Sequence, residues 1–170
     1  YTNGIEKIDF FSAFFVSLFI TVCSVILIVL ATAMCAWFIT RVKTWYTKLL
    51  YLLFAFSMIV PFQMVMYPMS QVANMLHLDN MFGIIIIYLG FGAGLSVFMF
   101  AGFVKSVPLE IEEAAMIDGC GPMKTFFLID FPILRPSAIT VAILQAMWIW
   151  NDYLLPTLIL SDTRTLPMAI

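Results

Sequence analysis

The sequence predicts an all-α integral membrane protein with four transmembrane helices and one polar hairpin between the third and the fourth. Three observations carry that prediction: scarce charge, long charge-free windows, and cations gathered on one side of the windows. Of the 170 residues, 64% are hydrophobic and only 11% are charged, whereas a soluble globular domain has about 25% charged residues. Too few polar groups remain to clothe a water-facing surface, so lipid is the expected solvent. A spanning helix needs about 20 mainly apolar residues, and four stretches of the chain meet that demand.

The first helix is expected over roughly 10–40, where no residue carries a formal charge. It is too long for the apolar core of a signal peptide, and its flank, Glu6-Lys7-Ile8-Asp9, is not basic. A second charge-free window runs from Leu49 to Leu76, with Pro61 and Pro68 breaking it, and the helix is placed over roughly 49–68. The third helix is expected over roughly 81–104. The fourth, over roughly 136–160, contains a single acid, Asp152. Between the last two lies the polar segment 105–135. The chain starts at Tyr1 and ends on Met168-Ala169-Ile170, where apolar character returns, which reads as a piece of a longer membrane protein.

Orientation follows from the cations. Arg41, Lys43, Lys48, Lys105, Lys124 and Arg135 fall on one side of the windows, and Lys7 and Arg164 on the other. Six basic residues against two is the positive-inside pattern, which counts Lys and Arg and not net charge. The segment 105–135 is therefore expected in the cytoplasm and the N-terminal end of the chain outside it.

Other features carry less. Cys23, Cys35 and Cys120 have no paired spacing that suggests a disulfide framework or a metal site. Gly90, Gly92 and Gly94 sit inside an apolar window with no following Lys, so they are not a phosphate loop. Their spacing suits close helix packing in lipid. No general acid–base pair or nucleophile triad is visible, and an enzyme is not expected.

The segment VPLEIEEAAMIDGCGPMKTFFLIDFPILRP is built as two short helices around a turn. Pro108 suits a first helical position, and Glu110, Glu112 and Glu113 place negative charge at the positive end of the helix dipole. Gly119 fits the stop, where a left-handed residue is wanted. Gly121-Pro122 makes a second break, and Pro132 and Pro136 close the segment. An amphipathic helix lying on lipid headgroups usually carries Lys and Arg on its polar face. This one leads with acids, which favours a protein partner with a basic groove or one that accepts small residues.

These residues resemble a known family. Glu113-Ala114-Ala115, Gly119, Ile129 and Pro132 match the EAA loop of inner-membrane permease subunits of binding-protein-dependent ABC importers, with Phe131 in place of the usual Leu. FVKSVPLEIEEAAMIDGCG and WIWNDYLLPTLILSDTRTLPMAI are similar to the carbohydrate-uptake branch, the maltose-type permeases in particular. The resemblance implies a six-helix type I permease, of which these four would be helices two to five. It implies that Glu113, Ala114, Ala115, Asp118, Gly119, Ile129 and Pro132 form a cytoplasmic coupling loop docked on a separate ATPase. ATP and Mg²⁺ would be held by that ATPase and no cofactor by this chain, which has no Gly-x-x-x-x-Gly-Lys-Ser/Thr loop. The implied partners are two ATPase copies, a second permease subunit in a heterodimer, an extracytoplasmic solute-binding protein and a sugar, with no nucleic acid. The implied location is the bacterial cytoplasmic membrane.

A second polar group, Trp148, Trp150, Asn151 and Asp152, interrupts the fourth window. A carboxylate at mid-membrane costs at least about 2.5–3.5 kcal/mol on insertion scales, unless it faces protein or a water-filled cavity. It is either part of the translocation path, with the aromatic faces stacking on sugar C–H surfaces, or a packing pair between Asp152 and a polar group on helices beyond this chain or on the partner permease. If Pro156 ends the helix early, Asp152 is half exposed instead. An ion-coupled secondary transporter using Asp152, or an ABC permease for a non-sugar solute, remains an alternative.

Overall fold

A computed structural model describes residues 10–160 and 165–169. Among these the chain is helical, with no strand. The helices are α1 (Phe10–Arg41), α2 (Trp45–Ser57), α3 (Phe62–Met75), α4 (Met81–Val104), α5 (Leu109–Ile117), α6 (Pro122–Ile133), α7 (Arg135–Asn151) and α8 (Leu154–Ile159), with a last turn at Leu166–Ala169. α1 and α4 are each long and apolar enough to cross a membrane, and four spans result if α2 with α3, and α6 with α7, each count as one broken span.

Two of the expected spans are not continuous helices. The one placed over 49–68 is two helices, α2 and α3, separated by Met58–Pro61. Proline clashes with the carbonyl four residues before it, and for Pro61 that residue is Ser57, the last of α2. Pro68 lies inside α3, which continues past it. α2 also begins earlier than the charge-free window, at Trp45, because Thr44 and Thr47 form a capping box. The span placed over 136–160 likewise stops at Asn151 and restarts at Leu154. Pro156 accounts for the break, since its forbidden carbonyl is that of Asp152. In α8 the same proline stands in the first turn, where its missing N–H has no intrahelical partner to lose.

The chain divides into two compact units. Among the described residues, one comprises 10–27, 60–91, 144–160 and 165–169. Within it Ile20, Ile84, Tyr88, Ile149 and Leu155 are buried, and α8 packs on α3. Aromatic edges hold its helices together: Phe19 on Phe82 at 6.3 Å between ring centroids and Phe14 on Trp150 at 5.7 Å. Ser17 Oγ accepts a hydrogen bond from the Leu166 N–H at 2.7 Å.

The other unit comprises 28–59 and 92–143. Its core gathers Ala33 and Ala36 of α1, Val97, Phe100 and Ala101 of α4, Phe126 of α6 and Val141 of α7. The small residues let helices approach closely, which is how they associate in lipid. Gly94 shows how close. A Cβ there would stand 2.4 Å from Ser57 Oγ and 3.0 Å from the Phe54 carbonyl oxygen, whereas a Cβ at Gly90 would meet nothing within 4 Å. Of the pair Gly90 and Gly94, it is Gly94 that bears a neighbouring helix.

Candidate functional site

The polar hairpin is assembled from local signals. Pro108 is extended and caps α5 from outside, with Glu110 and Glu112 in its first turn. At the other end Gly119 adopts φ +85°, the Gly119 N–H reaches the Met116 carbonyl at 3.1 Å, and the Cys120 N–H reaches the Ala115 carbonyl at 3.0 Å. This pair of bonds is a Schellman motif, and it requires the left-handed residue that glycine supplies without strain. Gly121 is extended and Pro122 opens α6.

α6 then widens into a π-helical turn over Phe126–Asp130, closed by the Phe131 N–H on the Phe126 carbonyl. Pro132 has no N–H to give the Leu128 carbonyl, so the α-helical ladder is already broken at that point. The turn aims both Phe126 and Asp130 inward. Phe131 packs against Phe126 with centroids 5.9 Å apart.

Burial divides the expected coupling residues. Glu113, Ala114, Asp118 and Gly119 are exposed, Ala115 is buried, and Ile129 and Pro132 are intermediate. The exposed side of α5 also shows Leu109, Met116 and Ile117, the last 86% exposed. α5 thus presents an apolar surface with Glu113 and the small Ala114 set in it.

Glu112, which the sequence placed only among the acids of the helix dipole, is buried and only 1% exposed. Arg41, the last residue of α1, donates from Nε to Glu112 Oε1 at 2.6 Å and from Nη2 to the Val107 carbonyl at 2.9 Å. Asp130 is equally buried, and neither of its carboxyl oxygens has a hydrogen-bond partner among the described residues. Burial, and then the neighbouring Glu112 carboxyl, push Asp130 from its usual 3.8 up to about 7, against the pull of the Arg41 guanidinium and Trp37. One cation thus stands against two buried carboxyls, and the unpaired one favours its neutral form. Trp37 lies against Phe126 with centroids 5.6 Å apart. The end of α1 therefore holds both arms of the hairpin, α5 through Glu112 on Arg41 and α6 through Phe126 on Trp37. The signal for Glu112 was its i, i+3 spacing to Ala115, which puts both on one helix face, a turn of about 100° away from Glu113.

The second group forms around Asp152. Tyr88 of α4 is fully buried and donates its hydroxyl to Asp152 Oδ2 at 3.1 Å. Asp152 Oδ1 accepts from the Leu154 N–H at 3.1 Å and, more weakly, from the Leu155 N–H at 3.5 Å. The carboxylate therefore caps α8, as acids do at helix starts. The Tyr88 ring meets Trp148 edge-on at 5.6 Å. Asn151 bonds back to the Met147 carbonyl at 2.7 Å, and Trp150 rests on Phe14. Asp152 thus pairs inside the chain, and its partner was legible only as a lone phenol in an apolar window.

Comparison with known proteins agrees with this architecture. Residues 28–170 match the family model described as binding-protein-dependent transport system inner membrane component. The chain is 39% identical over its full length to a probable starch degradation products transport system permease of Thermoanaerobacterium thermosulfurigenes, covering 63% of that protein. It is 38% identical, over 91% of its length, to a multiple sugar-binding transport system permease of Streptococcus mutans, covering 58% of it. The chain thus spans less than two thirds of these relatives. Among solved structures, a bacterial ABC transporter involved in import of the acidic polysaccharide alginate superposes with a TM-score of 0.83 at 21% identity, over 97% of this chain and 59% of that one, so the two share a fold. With a helical membrane fold, a hairpin between two apolar helices and a family match over most of its length, the chain belongs to the inner-membrane components of binding-protein-dependent transport systems, and is a multi-pass inner-membrane protein.

Proposed function

We propose that this chain is the larger part of a permease subunit of an ATP-driven ABC importer, forming a path for a sugar or oligosaccharide handed over by a solute-binding protein. The observation that carries the proposal is the division of labour on α5: Glu112 is locked to Arg41 of α1, while Glu113 and Ala114 face outward on an apolar surface. A push on the exposed face is delivered through the lock to the end of a membrane helix. That is what a coupling element driven by a separate, ATP- and Mg²⁺-binding subunit needs. Two such ATPases and a second, different permease subunit complete the assembly in this reading, with the hairpin in the cytoplasm and the N-terminal end of the chain outside. The sugar assignment leans on the relatives, which are named for starch products and for multiple sugars. Trp148, Trp150, Asn151 and Asp152 are the candidate contacts along the path.

Ion-coupled transport is disfavoured by the engagement of Asp152, whose two oxygens already serve Tyr88 and the start of α8. Co-purification tests the proposal. The full-length protein is expressed with its partner permease and ATPase, and ATPase recovery is compared between wild type and Glu113→Lys. Loss of the ATPase from a normally inserted complex is expected. Undiminished recovery would reduce Glu113 to a helix-dipole residue, and a wild type that holds no ATPase would end the importer reading.

A further inference from the structure

Where α1, α2 and α4 meet beside the hairpin, the structure holds a cavity of about 520 Å³ whose lining includes Lys43, Lys48 and Lys105, along with Thr40 and Thr47, whose hydroxyls already serve backbone carbonyls. All three lysines are exposed, and none has an ion pair among the described residues. The neighbouring cation, Arg41, is already spent on Glu112. The lining thus brings three cationic side chains to one cavity with no carboxylate among them. The cavity walls are of a different kind. Ile39 and Ala101 are buried, and Tyr51 and Leu52 continue the lining one turn beyond Lys48 along α2. Lys105 Nζ stands 5.6 Å from the Tyr51 ring centroid, within cation–π range, and Tyr51 is held in turn by stacking on Phe98 at 6.2 Å.

The depth of this site in the membrane is set by its neighbours. The apolar helices α1 and α4 both end beside it, at Arg41 and Val104. Trp45 and Tyr46, at the start of α2, are 75% and 45% exposed, which is the amphipathic aromatic character found at the membrane–water boundary. A basic rim at headgroup level, over an apolar wall that runs toward the hydrocarbon, matches one ligand chemistry: a phosphate ester with attached acyl chains. We propose that Lys43, Lys48 and Lys105 form a binding site for the headgroup of an anionic phospholipid, with its chains lying along Tyr51 and Leu52. By the positive-inside pattern the site faces the cytoplasmic leaflet, where anionic lipids attract basic segments.

The test uses the full-length protein in its assembled complex, in phosphatidylcholine vesicles doped with spin-labelled phosphatidylglycerol or spin-labelled phosphatidylcholine. Each lysine near an anionic surface is worth about fivefold in association, so replacing all three should cut preferential phosphatidylglycerol retention by well over tenfold. The triple Lys→Gln variant is expected to hold phosphatidylglycerol no better than phosphatidylcholine. The triple Lys→Arg variant, which keeps the charge, is expected to retain the preference and so rules out a general folding defect. Millimolar inorganic phosphate should not displace the lipid. Equal retention by wild type and the Gln variant would overturn the proposal. So would displacement by phosphate, which would make this a free-anion site. A preference that exists in the isolated subunit but disappears in the complex would overturn it too, because a protein partner would then fill the cavity.

Discussion

Arg41→Met removes the cation that faces both buried carboxyls while keeping an aliphatic stem of similar reach. Glu112 is 1% exposed and the Arg41 side chain 16%, so the pair is buried on one side and shielded on the other. Removing one member of a buried pair costs about 3–5 kcal/mol. The lower part of that range applies here, because Arg41 keeps some contact with solvent. The hydrogen bond to the Val107 carbonyl adds about 1 kcal/mol, for a total of about 4 kcal/mol. In a chain of this size that corresponds to a melting shift on the order of 10 °C.

Glu112→Leu should cost less than Arg41→Met. The Asp130 carboxyl, already acted on by Arg41, can ionise and take the place of Glu112. Replacing both partners by apolar groups is often neutral, so the double variant should recover much of the loss. The assay is fluorescence-monitored melting of the purified subunit in detergent, run as a double-mutant cycle. A shift of less than about 2 °C for Arg41→Met, or a double variant whose loss is the sum of the singles, would show that this pair does not hold the hairpin to α1.

Three further outcomes follow from the geometry. Asp130 has a folded pKa near 7 against 3.8, so the folded chain binds its proton more tightly than the unfolded chain does. Its contribution to stability is therefore present at low pH and is lost as pH rises from about 4 to about 7. Asp130→Asn should flatten the melting–pH profile in that window and stabilise the chain at pH 8, and an unchanged slope would assign the dependence elsewhere. Gly94→Ala places a methyl against Ser57 Oγ and the Phe54 carbonyl and should cost about 1–3 kcal/mol by overpacking; Ser57→Ala in the same chain should recover part of the melting loss, since only the Oγ clash is removed. Tyr88→Phe leaves Asp152 Oδ2 without its phenol donor, a hydrogen bond to a charged group worth about 1.5–3 kcal/mol. The melting temperature should fall, while Asp152→Asn, which can still cap α8, should melt higher than Asp152→Ala.

The all-helical membrane fold was legible because lipid leaves the backbone few options. In hydrocarbon every N–H and C=O must be satisfied internally, so a long charge-free window such as 10–40 or 81–104 points to a helix almost regardless of its detail. The breaks were harder to place. A charge-free window marks where lipid is tolerated, not where hydrogen-bonded turns begin and end. α2 therefore starts at Trp45, ahead of Lys48, because a threonine pair caps it, and it ends at Ser57, four residues before Pro61. Asp152 was visible as a costly acid, but Pro156 four residues later decides that it sits at a helix junction and not within a span.

The hairpin shows why neighbouring acids need three dimensions to be told apart. Glu112 and Glu113 have the same chemistry and nearly the same position in the helix dipole, so composition and motif alike favoured the one inside Glu-Ala-Ala. A rotation of about 100° per residue gives them opposite fates. Glu112 turns inward with Ala115 and meets Arg41, while Glu113 turns out with Ala114. A partner docking on the outer face would exert force on a helix whose inner face is bonded to the end of α1 through a pair that costs several kcal/mol to break. The hairpin would then move with α1 and not slide against it. Charge reversal at Glu113 and neutralisation at Arg41 should therefore separate: the first loses the partner from a stable subunit, and the second lowers the subunit's melting temperature.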